Sequence, residues 1–295
     1  MTNLREVRLR MRAIQQTLQV TKAMNLVSTA KLRKGRRALE DIKPYFDRIQ
    51  KTVFDVISSV GEIESDFSRK KNPFQEYRTA IIVISSDKGL AGSYNANIFR
   101  QVNELCDKVK NPELITIGNM ASRHFTNTPL PILEDFPFCT QVPTLEYAEE
   151  ISSYVLSQFL WGAYDELHIV YTHMFSSVKI APVELQLIPL DKDKIQSRIM
   201  GLGNIKRVDL EFEFLPSARE VFDALVPHLF KGMLYCCMVE AFASEQNARM
   251  TAMSESSKSA EDMLASLRIH YNRARQAGIT NEITEIVSGS AALSQ

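Results

Sequence analysis

Apolar and polar positions follow two different rhythms along this chain, and the rhythms divide it into three stretches. At the start, Leu4, Val7, Met11, Ile14, Leu18, Thr21, Asn25, Ser28 and Leu32 alternate by threes and fours. That is the heptad seam of a coiled coil, apolar at first and polar or small after Leu18. No Pro or Gly interrupts residues 2–34. The pattern predicts a helix that runs past Gly35 and Pro44 to about Val60. A kink is expected near Pro44, where the ring removes an internal hydrogen bond and clashes with the previous turn.

The far end of the chain has the same rhythm. Pro216 precedes Ser217-Ala218-Arg219-Glu220, a capping box that opens a helix, and no proline follows Pro227. Ala260, Leu264, Leu267, Tyr271, Ala274 and Gly278 again alternate by fours and threes, and Ile279, Ile283 and Ile286 continue on a neighbouring stripe. A helix from about 218 to 288 would be roughly 100 Å long. Globular helices usually run 8–20 residues, so this one is expected to protrude.

Between the two lies a period-2 texture. Ala80-Ile81-Ile82-Val83-Ile84-Ser85 is a continuous apolar run, as in a strand covered on both faces. Leu114–Ile117 and Leu167–Tyr171 are further strands, with helical patterns at about 95–110, 119–126 and 144–160, which argues for βαβ units and a mainly parallel sheet. Val183–Ile188 follows after a short loop and is expected to pair antiparallel as a hairpin edge. Val208, Leu210, Phe212 and Phe214 alternate with Asp209, Glu211 and Glu213, predicting one more strand, and residues 191–207, with Gly201 and Gly203, read as a loop. The fold class expected is α/β: a long antiparallel coiled coil of the N- and C-terminal helices with an inserted Rossmann-like α/β domain. The boundaries are 1–65 for the first helix, 75–207 for the α/β domain, and 208–295 for the edge strand and second helix.

Composition changes this picture in one respect. The chain has 295 residues, 45% hydrophobic and 24% charged, with 35 basic and 35 acidic side chains. Residues 1–40 hold ten Lys or Arg against Glu6 and Glu40, leaving +8 there and −8 on the remainder. Such asymmetry signals an electrostatic partner. The four cysteines (Cys106, Cys139, Cys236, Cys237) have neither metal spacing nor a disulfide framework, and unpaired thiols in a reducing compartment are expected. No apolar run is read as approaching the roughly 18–20 residues needed to span a bilayer. The N-terminus lacks the apolar core of a secretory signal.

Candidate chemistry is sparse. Ser85-Ser86-Asp87-Lys88-Gly89-Leu90-Ala91-Gly92-Ser93-Tyr94-Asn95 joins a strand to a helix, a place where anions often bind. Its glycine spacing fits neither a P-loop nor the dinucleotide fingerprint. A turn with glycines at positive φ and Ser93 or Asn95 capping the helix is the plainer reading. Gly201-Leu202-Gly203 is treated as loop. His168 and His173 have no Cys or carboxylate at ligand spacing, so a satisfied strand histidine is expected rather than a metal site. No Gly-x-Ser-x-Gly elbow is present. No catalytic residue, cofactor or metal is therefore assigned. The basic N-terminal helix admits a solvated face, a nucleic-acid binder or a collar facing an acidic protein partner. Residues 1–40 contain no Phe, Tyr or Trp to stack on bases. Thr251–Ala260 is rich in Ala, Ser and Thr, which gives good helix propensity and a slim flank.

Two stretches carry a specific resemblance: Gln15–Arg33, with Thr21-Lys22-Ala23-Met24, and Ala243–Ile283, with Ala248-Arg249-Met250 and Ala274-Arg275-Gln276-Ala277-Gly278-Ile279-Thr280. They resemble the signatures of the γ subunit of F-type ATP synthases. The segment Asp87–Asn95, with Ala91 where the family often has Cys, and the Phe212–Leu225 region are similar to that family as well. The resemblance implies a non-catalytic rotor whose terminal helices turn inside a hexamer of α and β subunits. The inserted domain would meet the ε subunit and the membrane ring of c subunits. It implies hexamer contacts at Lys22, Met24, Arg249, Arg275, Gln276 and Thr280, and a basic collar of Arg33, Arg36 and Arg37. Gly278 stands where the family more often has Ser or Ala. The insert and paired cysteines of the chloroplast redox switch are absent, so thiol regulation of that kind is not expected. The Arg-rich start matches the family's mature N-terminus rather than a transit peptide. The cytoplasmic face of a bacterial plasma membrane is the expected location. Two rivals stay open: a coiled-coil scaffold or nucleic-acid binder using the basic helix, and a Rossmann-type enzyme acting through the Asp87–Asn95 loop.

Overall fold

The computed structural model describes residues 4–60, 65–68, 77–137, 139–176, 179–190 and 214–293. In chain order the elements are α1 (Leu4–Val60), a 3-10 turn (Asp66–Ser68), β1 (Thr79–Ile84), α2 (Tyr94–Cys106), β2 (Pro112–Ile117), α3 (Asn119–Phe125), β3 (Ile132–Phe136), α4 (Leu145–Leu160), β4 (Glu166–Met174), β5 (Ile180–Ile188) and α5 (Ala218–Leu293). Helix α1 runs through Pro44 and α5 through Pro227 without a break. Residues 208–213 of the strand expected at 208–214, and the loop at 191–207, lie outside the described residues.

Five strands form one sheet in the order β3-β2-β1-β4-β5. β1 pairs parallel with both β2 and β4, β2 pairs parallel with β3, and β5 returns antiparallel on β4. The hairpin edge and parallel core are as the pattern predicts. β3 is an addition, a short edge strand with two acidic residues in it. Every residue of β1 is buried, because helices cover both faces. Ala80, Ile82 and Ile84 point into one apolar cluster with α4, the C-terminal part of α1 and the first turns of α5. Ile81 and Val83 point into the other, with α2 and α3. A strand covered on both faces must be apolar at every position, which is why β1 shows no alternation.

The chain resolves into two compact units, residues 30–248 and a second made of 1–29 with 249–295. The first holds the sheet, its covering helices and the adjoining parts of α1 and α5. Two glycines let helices meet there. A Cβ on Gly232 would lie 1.7 Å from Phe46 Cε1, and one on Gly35 would lie 3.1 Å from Phe242 Cδ1. Each phenyl ring fills the hole that a missing side chain leaves. Helix α5 opens on the expected capping pair: Ser217 Oγ accepts from Glu220 N at 3.2 Å and donates to Glu220 Oε1 at 3.2 Å. The carboxylate therefore answers the hydroxyl, where the motif predicts a bond to the Ser217 backbone.

One correction concerns hydropathy. Within 218–288, α5 contains an 18-residue window long and apolar enough to cross a membrane by length and composition alone, and 50% of it is buried inside the protein. The expectation of no such stretch does not hold for this averaged window; Phe222, Val226, Leu229 and Phe230 of the same helix belong to the apolar cluster beside the sheet.

Candidate partner-contact surfaces

The second unit is a pair of helical segments, 4–29 of α1 and 249–293 of α5. All the predicted seam positions of α1 that fall here are buried or half-buried, as are Ala260, Leu264, Leu267, Tyr271, Ala274 and Gly278 of α5. The pairing is antiparallel. Arg8 Nη2 donates to Tyr271 Oη at 2.7 Å, Ser257 Oγ donates to Thr21 Oγ1 at 2.8 Å, and Asn25 Nδ2 donates to the Met250 carbonyl at 2.9 Å. As residue numbers fall along one helix, they rise along the other.

On the flanks of this pair the predicted contact residues fall into three kinds. Arg275, Gln276 and Thr280 are exposed. Lys22 is exposed but already has a partner, with its Nζ 2.6 Å from Glu261 Oε1, and Met24 is half-buried. Arg249 is 8% exposed and interacts within the chain. Beyond the last seam position, Ile279, Ile283, Ile286 and Val287 are exposed, Ile286 to 71%.

Arg33, Arg36 and Arg37 lie in the unit that holds the sheet. Arg33 and Arg37 face solvent, whereas Arg36 is half-buried and its Nη2 lies 3.5 Å from Met174 Sδ. Two of the three collar arginines are therefore presented outward.

The Asp87–Asn95 loop is braced by its neighbours and by its own ends. Asp87 Oδ1 accepts from Asn119 N at 3.0 Å and Oδ2 from Thr140 Oγ1 at 2.8 Å. Ser86 N donates to Asn95 Oδ1 at 3.1 Å. Asn95 thus ties back to Ser86, just past β1, instead of capping the helix, and Ser93 occupies the N-cap without accepting a bond from a helix backbone N–H, its Oγ accepting instead from Asn97 Nδ2 at 3.2 Å. Gly92 has φ 58°, as expected, but the other left-handed residue is Leu90 at φ 62°. Opposite the loop, a Cβ on Gly118 (φ 96°) would meet the Ser85 carbonyl oxygen at 2.5 Å, so only glycine fits the crossing. The loop's carboxylate and amide groups are spent on this bracing.

From the same region a set of polar bonds joins α5 to α2 and to β4 of the sheet. Tyr94 Oη donates to the Ala241 carbonyl at 3.1 Å, Ser244 Oγ donates to the Thr172 carbonyl at 3.0 Å, and His173 Nδ1 lies 2.7 Å from Glu240 Oε1. Residues 241–247 of α5 are buried at every position.

Among the described residues no group of three or more His, Cys, Asp or Glu is arranged to hold a metal ion. His168 nevertheless has two carboxylate neighbours, of which Glu184 is remote in sequence. Its Nδ1 lies 3.0 Å from Glu184 Oε1 and its Nε2 3.6 Å from Glu166 Oε2. The first is two positions away across the β4–β5 ladder and the second two positions along β4. All four cysteines are free. Burial, with Glu240 next, pushes the Cys236 thiol up to about 12, and burial pushes Cys106 and Cys139 up to about 11. These are unreactive thiols in packed surroundings.

Comparison with known proteins agrees along nearly the whole chain. A family model described as ATP synthase matches residues 3–293. The ATP synthase gamma chain of Acetivibrio thermocellus is 40% identical over 294 residues, covering 99% of this chain and 100% of the relative. A sodium ion specific ATP synthase gamma chain from Acetobacterium woodii is 33% identical, with 99% of each chain covered. In the rotor of the Euglena gracilis mitochondrial ATP synthase, one chain superposes with a TM-score of 0.62 at 16% identity, covering 94% of this chain and 98% of that one. The central stalk and c-ring structure from Tetrahymena thermophila includes a chain with a TM-score of 0.60 at 21% identity, covering 81% of this chain and 99% of that one. The likeness to solved structures concerns the fold; the curated relatives, matched end to end above 30% identity, show the family. This chain belongs to the ATP synthase gamma chain family, as a non-catalytic central-stalk subunit of that enzyme.

Proposed function

We propose that this chain is the rotor of an F-type ATP synthase, an asymmetric shaft that turns inside a hexamer of α and β subunits. It couples ion flow through the membrane sector to ATP synthesis or hydrolysis at the β sites. The α/β unit meets the ε subunit and the ring of c subunits, and the complex sits peripherally on the cytoplasmic face of the bacterial plasma membrane. The observation that carries this reading is the antiparallel helix pair, bonded across its seam from Arg8–Tyr271 to Asn25–Met250, in a chain matched along its length to gamma chains.

The mechanism follows from symmetry. Three chemically identical β sites differ only when something asymmetric touches them unequally. Two helices with different flanks provide that asymmetry, with exposed Arg275, Gln276 and Thr280 on one and the Lys22–Glu261 ion pair joining both. A bias between open and closed sites needs differential contact energy, about 1.4 kcal/mol for each tenfold shift. Exposed Arg33 and Arg37 add attraction to acidic surfaces, screened beyond about 8 Å at physiological salt. Packing against the shaft therefore outweighs charge. Lys22, Met24, Arg33, Arg36, Arg37, Arg275, Gln276 and Thr280 are the proposed contacts with the hexamer, and Arg249 acts from within the pair.

Co-expression with α and β subunits tests this reading. The chain is expected to co-purify in a complex with one copy per hexamer, and ATP hydrolysis by the complex should depend on it. A stable, active hexamer that excludes the chain would overturn it. Binding of duplex DNA by the purified chain, with steep salt dependence, would favour the nucleic-acid reading instead.

A further inference from the structure

The seam between the two shaft segments changes character in its middle. At one end it is apolar or aromatic, with Val7 and Ile14 of α1 and Leu264 and Tyr271 of α5. From Thr21 towards the other end it is largely polar, around the buried Met253, and still closed to solvent: Thr21, Ser28 and Ser257 are buried, and Asn25 is half-buried. The polar groups form a relay with a defined direction. Ser257 Oγ donates to Thr21 Oγ1 at 2.8 Å, and Thr21 Oγ1 donates onward to the Leu18 carbonyl at 3.1 Å. One turn away, Asn25 Nδ2 reaches across to the Met250 carbonyl at 2.9 Å. Outside them, Lys22 Nζ closes on Glu261 Oε1 at 2.6 Å.

An apolar seam tolerates axial slippage, because one methyl group replaces another at similar cost. A polar seam does not. Sliding one helix by a turn, about 5.4 Å, or by a heptad, about 10 Å, would separate Asn25 from its carbonyl and Ser257 from Thr21. Buried donors would then be left unanswered, which is penalised more heavily than a met bond is rewarded. A single polar side chain at a seam position is known to specify register in coiled coils at some cost in stability. The ion pair of Lys22 and Glu261 is exposed and adds little by itself, but it fits only the same register.

Resting on the rotor reading above, we propose that Asn25, Thr21 and Ser257 are positioning residues that lock the axial register of the two shaft helices. The lock keeps the asymmetric flanks in fixed phase while the pair bears torque. Arg8, bonded to Tyr271 Oη and with its guanidinium carbon 5.6 Å from the ring centroid, holds the same register at the other end of the described pair.

The test uses the assembled complex. Spin labels are attached at exposed Gln16 and Ser259 before assembly, and the distance between them is measured by pulsed electron resonance. The unmodified chain is expected to give one narrow distance. The triple variant Thr21→Val, Asn25→Leu, Ser257→Ala keeps an apolar seam of similar shape, so unchanged helix content by circular dichroism is expected. It should show a second distance population displaced by about 5 or 10 Å. Ion-driven ATP synthesis relative to ATP hydrolysis should fall at least twofold. Thr21→Ser, which retains the hydroxyl, should keep the single distance and full coupling. If the triple variant does not fold, Asn25→Leu alone carries the same two expectations. A single native distance in the variant overturns the lock, and a displaced register with unchanged coupling overturns its role in torque. Failure of the unmodified chain to assemble at all would strike the rotor reading and not the lock.

Discussion

Gly232 shows how much one missing methyl group can decide. Phe46 occupies the space that a Cβ there would need, at 1.7 Å, and the ring is buried. Gly232→Ala is predicted to destabilise the folded chain by about 1–3 kcal/mol, the usual range for overpacking a filled core. Adding Phe46→Leu should recover part of that loss. Urea unfolding of the single and double variants checks it, and a stabilised single variant would contradict the packing described. The buried and half-buried thiols make a second residue-level prediction. Burial holds Cys236 up to about 12 and Cys106 and Cys139 up to about 11. Alkylation at pH 8 should therefore be about a hundredfold slower in the folded chain than after denaturation. A thiol pKa raised by folding also means that the folded state keeps a proton the unfolded chain gives up. That contribution to stability is complete below about pH 9 and is lost as pH rises through 11 to 12. The urea midpoint should drop between pH 8 and pH 11, and a rise would contradict it.

At the scale of elements, Gly278 sits in α5 with nothing beyond its chain neighbours and its own helix backbone within 4 Å of where a methyl group would stand. Gly278→Ala is predicted to stabilise that stretch of helix by about 0.5–1 kcal/mol. Hydrogen exchange of the amides around it should slow two- to fivefold; faster exchange would show that the glycine has a role beyond its missing side chain. The elements themselves are largely legible in the sequence. The heptad spacing of α1 and α5, the doubly buried β1 and the β4–β5 hairpin each come from a periodicity that local chemistry enforces. β3 is not legible, because Glu134 and Asp135 break the apolar run of a strand that needs only one covered edge. Equally hidden are contacts between residues remote in sequence: Phe46 with Gly232, His168 with Glu184, and Asn25 with the Met250 carbonyl. Spacing along one chain carries no record of which distant position faces which. The polar turn of the seam after Leu18 is visible, but its partners on α5 are not. Of the candidate contact residues, exposure at Arg275, Gln276 and Thr280 agrees with an outward role, whereas the burial of Arg249 depends on packing that its motif does not encode.

For the whole molecule, the proposed rotor is expected to couple through shape more than through charge. Neutralising the exposed collar, Arg33→Gln with Arg37→Gln, is predicted to slow ATP-driven turnover of the assembled complex less than tenfold, with a reduced dependence on salt, because exposed charges act over only about 8 Å. Loss of rotation in that variant would mean that charge carries the torque. Rotation itself can be watched directly. A bead is fixed to the α/β unit of this chain, the α and β hexamer is held on a surface, and ATP is supplied. The bead should turn in one direction, in three main steps per revolution, and stop when ATP is removed. A bead that only jitters, on complexes that hydrolyse ATP at the full rate, would contradict the proposal that this helix pair is the axle.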